Sequence, residues 1–243
     1  MLKTFSITDI GMRRSINQDF LFSSEKPVGK LPNLFIVADG MGGHKAGDFA
    51  SRQATQTIVD FLQTSTEENM VVGIRNAVEE ANRVVIAKAA ESEDFEGMGT
   101  TVVLATIFEN TMYVANVGDS RLYLERDELK QITKDHSLVE EMVRMGGIDE
   151  EAARYHPKKN VITRAVGGSD EIQIDFFEIQ LAPGDVILMC SDGLTNMVED
   201  SEISLIIKKQ RDVVEMAETL VNTANQNGGT DNVSVIVIKN ERE

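Results

Sequence analysis

Four aspartates in this chain stand at the ends of short apolar runs. Leu34-Phe35-Ile36-Val37-Ala38 leads into Asp39-Gly40, Met112 to Val117 leads into Gly118-Asp119-Ser120, and Val186 to Cys190 leads into Ser191-Asp192-Gly193. Asp231-Asn232 instead precedes its run, Val233 to Ile238. Antiparallel pairing sets the end of one strand beside the start of its neighbour, so these spacings predict all four carboxylates on one sheet edge. Gathered carboxylates repel and need a cation between them, and an all-oxygen ligand set suits Mg²⁺ or Mn²⁺. A short side chain on a rigid strand end fixes a metal better than a loop does. The glycine after Asp39, and the one after Asp192, leave a backbone carbonyl open to a cation. Two cations ~3.5–4 Å apart share a bridging water, lower its pKa and turn it into a nucleophile toward phosphorus. Any single Asp-Gly is equally the residue choice of a turn; four acids at matching strand ends are poorly explained that way.

Phosphate at such a centre needs a fixed guanidinium, whose fork matches two phosphate oxygens. Arg14, in Arg14-Ser15-Ile16-Asn17-Gln18-Asp19, is the candidate, with Arg13 as its competitor. His44, just past the glycines after Asp39, has an intrinsic pKa suited to protonating a leaving alkoxide; a structural histidine is the competing account. Other chemistries fail on spacing. A cysteine phosphatase needs an arginine where Asn196 follows Cys190. A phosphate-binding P-loop needs Lys-Ser or Lys-Thr after its last glycine, and the dinucleotide fingerprint needs a further glycine after Gly40-Met41-Gly42-Gly43. Neither a calcium-binding EF-hand loop nor a HExxH zinc motif is present.

The elements that must position these residues read as a mixed α+β chain. Strands are predicted over Thr4–Ile10, Phe20–Ser23 and Leu34–Ala38. Helices follow over Ala46–Gln63 and Met70–Ala90, where apolar residues recur at helical spacing. Thr100–Phe108, Met112–Val117, Arg121–Glu125 and Leu129–Thr133 read as a meander with short turns. Ser137–Met145 reads as helix, 146–159 as irregular and acidic, and Glu171–Gln180 and Val186–Cys190 as strands. Helices over Ser201–Lys208 and Val213–Gln226 precede the last strand, Val233–Ile238. Helix pairs early and late would each cover one face of two stacked antiparallel sheets.

Composition narrows the function. The 243 residues are 42% hydrophobic, enough for a core, and without a low-complexity linker they read as one domain over 1–243. The net charge of −16 opposes binding to nucleic acid or anionic membrane. Cys190 is the one cysteine, so an internal disulfide and a thiolate zinc cage are excluded; inside an apolar run it reads as a buried, inert thiol. No apolar stretch approaches the ~18 residues of a membrane span and no signal-peptide pattern opens the chain, so the expectation is a cytoplasmic protein without membrane insertion.

Eight segments in order complete the reading: Gly11 to Asp19; Val37 to His44; Gly99-Thr100-Thr101; Val117-Gly118-Asp119-Ser120-Arg121; Asp135-His136-Ser137; Ile162 to Gly167; Ser191-Asp192-Gly193-Leu194; and Gly229-Thr230-Asp231-Asn232. Together, over nearly the whole chain, they resemble the metal-dependent serine/threonine protein phosphatases of type 2C (PPM) in their compact bacterial form. The resemblance implies a four-layer αββα sandwich. It implies two core ions, Mn²⁺ or Mg²⁺, the first held by Asp39, Asp192 and Asp231, the second by Asp39 and the Gly40 carbonyl. Asp119 with Asp192 matches a weaker third site, Arg14 the phosphate-binding arginine, and His44 a histidine that helps the leaving group. The segment 137–160 matches a flap beside the active site that influences substrate choice. Two positions depart from the pattern. Many relatives have glutamate where Gln18 stands, which places Gln18, Asp19 and Asn232 in the outer shell. Larger relatives carry histidine where Met41 stands, which leaves the general acid open.

The function so implied is hydrolysis of phosphoserine and phosphothreonine by direct attack of a metal-bridging hydroxide, without a phosphoenzyme. The implied partners are phosphoproteins, namely a serine/threonine protein kinase and its substrates, met by a monomer. Two rivals remain: a stress-regulatory phosphatase of the same fold, whose members usually lack the early arginine, and a non-catalytic phosphoprotein-binding scaffold, which would require loss of acids that are all present.

Overall fold

The computed structural model describes residues 1–43 and 46–241. In chain order the elements are β1 (Leu2–Asp9), β2 (Asp19–Ser24), β3 (Leu34–Met41), α1 (Ala46–Thr64), α2 (Met70–Ala89), β4 (Gly99–Thr100), β5 (Val102–Phe108), β6 (Thr111–Val117), β7 (Arg121–Glu125), β8 (Leu129–Gln131), α3 (Leu138–Arg144), α4 (Glu150–Arg154), β9 (Asp175–Gln180), β10 (Val186–Cys190), α5 (Asp192–Thr195), α6 (Asp200–Lys209), α7 (Val213–Gln226) and β11 (Val233–Asn240). They build two sheets, one ordered β1-β11-β10-β7-β8 and the other β2-β3-β5-β6-β9 with β4 on β3. All the ladders are antiparallel.

Side chains alternate across a strand, and that alternation sorts the core into three layers. From β3, Leu34, Ile36 and Ala38 face α1 and α2, which contribute Ala50, Ala54, Ile58, Ile74, Val78 and Val85. Phe35 and Val37 of the same strand turn inward and meet Ile187, Met189, Ile236 and Ile238 of the other sheet. Those strands send Leu188, Cys190, Val235 and Val237 outward onto Ile203 of α6 and Leu220 of α7. Both faces of β3, β10 and β11 are therefore apolar, so they read as continuous hydrophobic runs. The helices are set by their caps and stripes: Asn69 accepts the Val72 N–H at the start of α2, and Asp212 accepts the Val214 N–H at the start of α7, the usual use of these residue types. The αββα sandwich of the sequence reading is the architecture found.

Three local expectations are corrected. The four central strands are not one meander: β5 and β6 pair in one sheet, β7 and β8 in the other. The chain crosses between sheets at Gly118–Ser120, where Gly118 has φ +107° and an added Cβ would lie 2.5 Å from the Thr101 side chain. A crossing turn this short has the local pattern of a hairpin. The acids consequently lie at the ends of strands from both sheets, not along one sheet edge. Residues 146–159 also contain α4, capped by Asp149 on the Ala152 N–H; at five residues it is too short to show an apolar period.

Candidate active site

The acids converge by register. Asp19 and Asp39 are direct cross-strand partners on β2 and β3. In the other sheet Cys190 pairs with Val235, so Asp192 just beyond β10 and Asp231 just before β11 lie side by side. Asp119 reaches the same place from the turn that crosses between the sheets. A cavity of ≈ 240 Å³ is lined by Asp39, Gly40, Asp119, Asp192 and Asp231, with Arg14, Gln18 and Asn232 around them. All the predicted ligand and outer-shell residues but Asp19 thus line one pocket. Asp19 lies behind it, 3% exposed. His44 lies outside the described residues. Arg13 does not line the pocket, whereas Arg14 does, its Nη2 donating to Asp231 Oδ2 at 2.7 Å.

The two glycines also let backbones approach closely. A Cβ on Gly40 would lie 2.0 Å from the Gly47 carbonyl oxygen of α1, and one on Gly193 would lie 1.8 Å from the Asn232 carbonyl oxygen. In each Asp-Gly pair the glycine lets two backbones close, and that contact brings the acid beside it into the cluster.

Hydrogen bonds fix the frame. The Asp39 N–H donates to Thr101 Oγ1 at 3.0 Å, and Thr101 Oγ1 lies 2.7 Å from Ser120 Oγ. Asn232 holds the β1–β2 loop at three points: its Oδ1 accepts the Gln18 N–H, and its Nδ2 donates to the Ile10 and Ile16 carbonyls. Ser191 Oγ donates to Asp19 Oδ2 at 2.7 Å, and Asn196 Nδ2 to Asp192 Oδ2 at 2.9 Å. The other oxygens of Asp19 and Asp192 are buried without a hydrogen-bond partner.

Electrostatics follow from this crowding. Burial, then the charges of Asp19, Asp192, Asp119 and Asp231, push the Asp39 carboxyl well above the usual range. Burial also raises Asp119, helped by Asp192 and Asp135. It lifts Asp19 to about 7 against the opposing pull of the nearby Ser234 and Ser191 hydroxyls, and Asp192 to about 6, with Asp231 adding to the rise. Among the described residues no three His, Cys, Asp or Glu side chains already form a closed metal cage; the carboxylates share a pocket without meeting at one point. The fit to a divalent cation rests on donor chemistry: hard oxygens, buried carboxylate oxygens lacking a partner, and mutual repulsion that a cation would relieve.

Some residues of the site were not singled out from sequence. Thr101, Asn160 and Ile162 line the pocket, and Ser191 holds Asp19. Thr101, Ile162 and Ser191 stand in three of the eight segments that carry the family resemblance, whereas Asn160 stands in none. A second cavity of ≈ 760 Å³ shares Asp119 and Asp192 with the first and is walled by Glu140, Glu150 and Tyr155 of the segment 137–160. Cys190 faces the α6–α7 core, fully buried, and burial raises its thiol pKa. It takes no part in the site.

A helix-flanked double sheet with an oxygen-rich acidic pocket at one end and an arginine on its rim is the frame of a metal-assisted phosphate-ester hydrolase. Residues 12–235 match the sequence family described as protein phosphatase 2C, and the chain belongs to that family. It is 39% identical to the serine/threonine phosphatase stp of Listeria innocua over 241 residues, covering 96% of this chain and 93% of that protein. The S. agalactiae serine/threonine phosphatase superposes with a TM-score of 0.92 at 34% identity, covering 99% of this chain and 100% of the other. The catalytic domain of the serine threonine protein phosphatase PstP, solved with 2 manganese ions, gives a TM-score of 0.86 at 33% identity and covers 98% of this chain and 97% of that one.

Proposed function

We propose that this chain, a protein phosphatase, removes phosphate from phosphoserine and phosphothreonine in proteins, using divalent metal held by Asp39, Asp192 and Asp231. The Gly40 carbonyl contributes a further ligand, and Asp119 with Asp192 holds a weaker third ion. The carrying observation is the convergence of four carboxylates, distant in sequence, on one pocket with Arg14 at its rim. When bound, Mn²⁺ or Mg²⁺ supplies charge neutralisation and a water acidified for attack on phosphorus.

The residues of the chain do the rest. Arg14 turns its guanidinium to two phosphate oxygens and sets phosphorus for in-line attack. Gln18, Asp19 and Asn232 support the ligands from the outer shell: Asn232 by holding the β1–β2 loop at three points, Asp19 by its negative charge behind Asp39. Water adds its oxygen to phosphorus, the bond to the serine or threonine oxygen breaks, and that oxygen leaves with a proton from His44 or from water. The products are the free hydroxyl and inorganic phosphate. The whole chain acts as one catalytic domain, with the flap at 137–160 over the neighbouring cavity. Its place is opposite a serine/threonine protein kinase, whose phosphosites and substrates it clears, as a monomer in the cytoplasm. Among the described residues no helix is long and apolar enough to cross a membrane.

The test is phosphate release from a phosphothreonine peptide with Mn²⁺, repeated in EDTA and with Asp192→Ala. Release that stops in both controls supports the reading. Release that survives chelation rules out the metal mechanism.

A further inference from the structure

His136 is 6% exposed and grips one glycine from both sides. Its backbone N–H donates to the Gly118 carbonyl at 3.0 Å, and the Gly118 N–H donates to His136 Nδ1 at 3.0 Å. Gly118 is the residue before Asp119, at the turn where the chain changes sheets. Its φ of +107° and its contact with Thr101 admit only glycine, and glycine supplies no stiffness of its own. The direction of Asp119 therefore depends on what holds the Gly118 peptide groups.

The hold is itself braced. Because Nδ1 accepts, the ring carries its proton on Nε2, which donates to Asp175 Oδ2 at 3.1 Å. Arg164 Nη1 donates to Asp175 Oδ1 at 2.9 Å. It also lies 3.2 Å from His136 Nε2, but both carry hydrogens in this tautomer, so its bond is to Asp175. Burial above all, with the Arg164 charge working against the pull of Asp175, lowers the ring's pKa and keeps it neutral. Asp175 sits on β9 opposite Asn116 of β6, so the brace is anchored in the sheet. The chain on either side of the flap is tied together here: the Thr163 N–H donates to the His136 carbonyl at 2.8 Å, and Ser137 bridges to Ile162.

We propose that His136, braced by Asp175 and Arg164, is the positioning residue that fixes the Gly118 turn and so aims the Asp119 carboxylate at the metal pocket. This rests on the reading of Asp119 as a metal ligand. A histidine that only filled the core would lower stability when replaced and leave metal affinity alone. A positioning histidine changes the affinity of the Asp119 site selectively, as outer-shell partners of ligands do by roughly 10–100-fold.

The experiment is calorimetric titration of Mn²⁺ into the whole chain, without substrate, for the wild type, His136→Ala, His136→Asn and Asp119→Asn. The expected result is loss of the weakest binding step in Asp119→Asn and its weakening by about 10-fold or more in His136→Ala. In His136→Asn it recovers, since the amide oxygen can accept the Gly118 N–H where Nδ1 did. An unchanged titration in His136→Ala beside a lost step in Asp119→Asn overturns the proposal and leaves Asp119 a ligand. An unchanged titration in Asp119→Asn overturns the ligand reading itself, and the proposal with it. Nitrogen NMR of the wild-type ring needs no variant to fold: protonated Nε2 and bare Nδ1 are expected, and a proton on Nδ1 overturns the proposal.

Discussion

Asp19 and Asp39 face each other directly across the β2–β3 ladder, a placement in which like charges destabilise a sheet. Only one Asp19 oxygen has a partner, the Ser191 hydroxyl; the other is buried without one. The proposed metal site accounts for a pair that adds nothing to the fold. Asp19→Asn, which keeps an oxygen for Ser191 and removes the charge, is expected to raise the melting temperature in EDTA and to weaken Mn²⁺ binding. Thermal melts and Mn²⁺ titration check both halves, and a lower melting temperature in EDTA would show that the charge helps the fold.

The same crowding fixes the sign of the pH response. Without metal, burial pushes the Asp19 carboxyl up to about 7 and the Asp192 carboxyl up to about 6, against 3.8 for an ordinary aspartate. Between about pH 4 and 7 the folded chain then binds more protons at these groups than the unfolded chain does. Their contribution to stability is present at low pH and lost as pH rises through those values. Divalent metal binds the deprotonated forms. The rise in melting temperature on adding Mn²⁺ is therefore expected to be larger near pH 8 than near pH 5. Melts with Mn²⁺ and with EDTA across that range measure it, and a gain that shrinks with pH contradicts the assignment.

The layers were legible because β3, β10 and β11 are buried on both faces and carry unbroken apolar runs, and because α1, α2 and α7 bury regular stripes. The acids were legible because each adjoins such a run. What escaped was non-local. Nothing in Val117 to Arg121 distinguishes a hairpin from a crossing between sheets, since the difference lies in the contact of Gly118 with Thr101. Asp19 was read as support only, because its pairing with Asp39 is a matter of register. His136 was quoted in a motif without a role, since Asp175 and Arg164 reach it only in the folded chain. α4 and α5 are too short for periodicity to mark.

Arg14 Nη2 bonds Asp231 Oδ2 at 2.7 Å, with the arginine side chain 48% exposed. On the proposed function, one guanidinium is then shared between the Asp231 carboxylate and the incoming phosphate. Arg14→Ala is expected to raise KM for a phosphopeptide several-fold with a smaller change in kcat, because phosphate is bound in the ground state as well. It should also tighten Mn²⁺ binding modestly, since a positive charge leaves the rim; an exposed pair of this kind contributes at most about 1 kcal/mol. Steady-state kinetics and Mn²⁺ titration separate the effects. An unchanged KM would remove Arg14 from the phosphate contact.

Two glycines give opposite expectations for one substitution. At Gly193 a Cβ would lie 1.8 Å from the Asn232 carbonyl oxygen and 3.5 Å from the Asp231 Cβ, so α5 and the start of β11 must separate. Gly193→Ala is therefore expected to cost about 1–3 kcal/mol or more, the range of overpacked sites, and to weaken Mn²⁺ binding by moving Asp192 away from Asp231. At Gly73, inside α2, the nearest atom to a Cβ is the Glu67 Cγ at 3.8 Å, an ordinary contact. Gly73→Ala there should stabilise by about 0.5–1 kcal/mol through the reduced freedom of the unfolded chain and leave Mn²⁺ binding unchanged. Urea unfolding with and without Mn²⁺ compares the pair. If Gly193→Ala lost stability but bound Mn²⁺ like the wild type, the close approach at Gly193 would serve packing alone, and the spacing of Asp192 and Asp231 would have to be set by their strands.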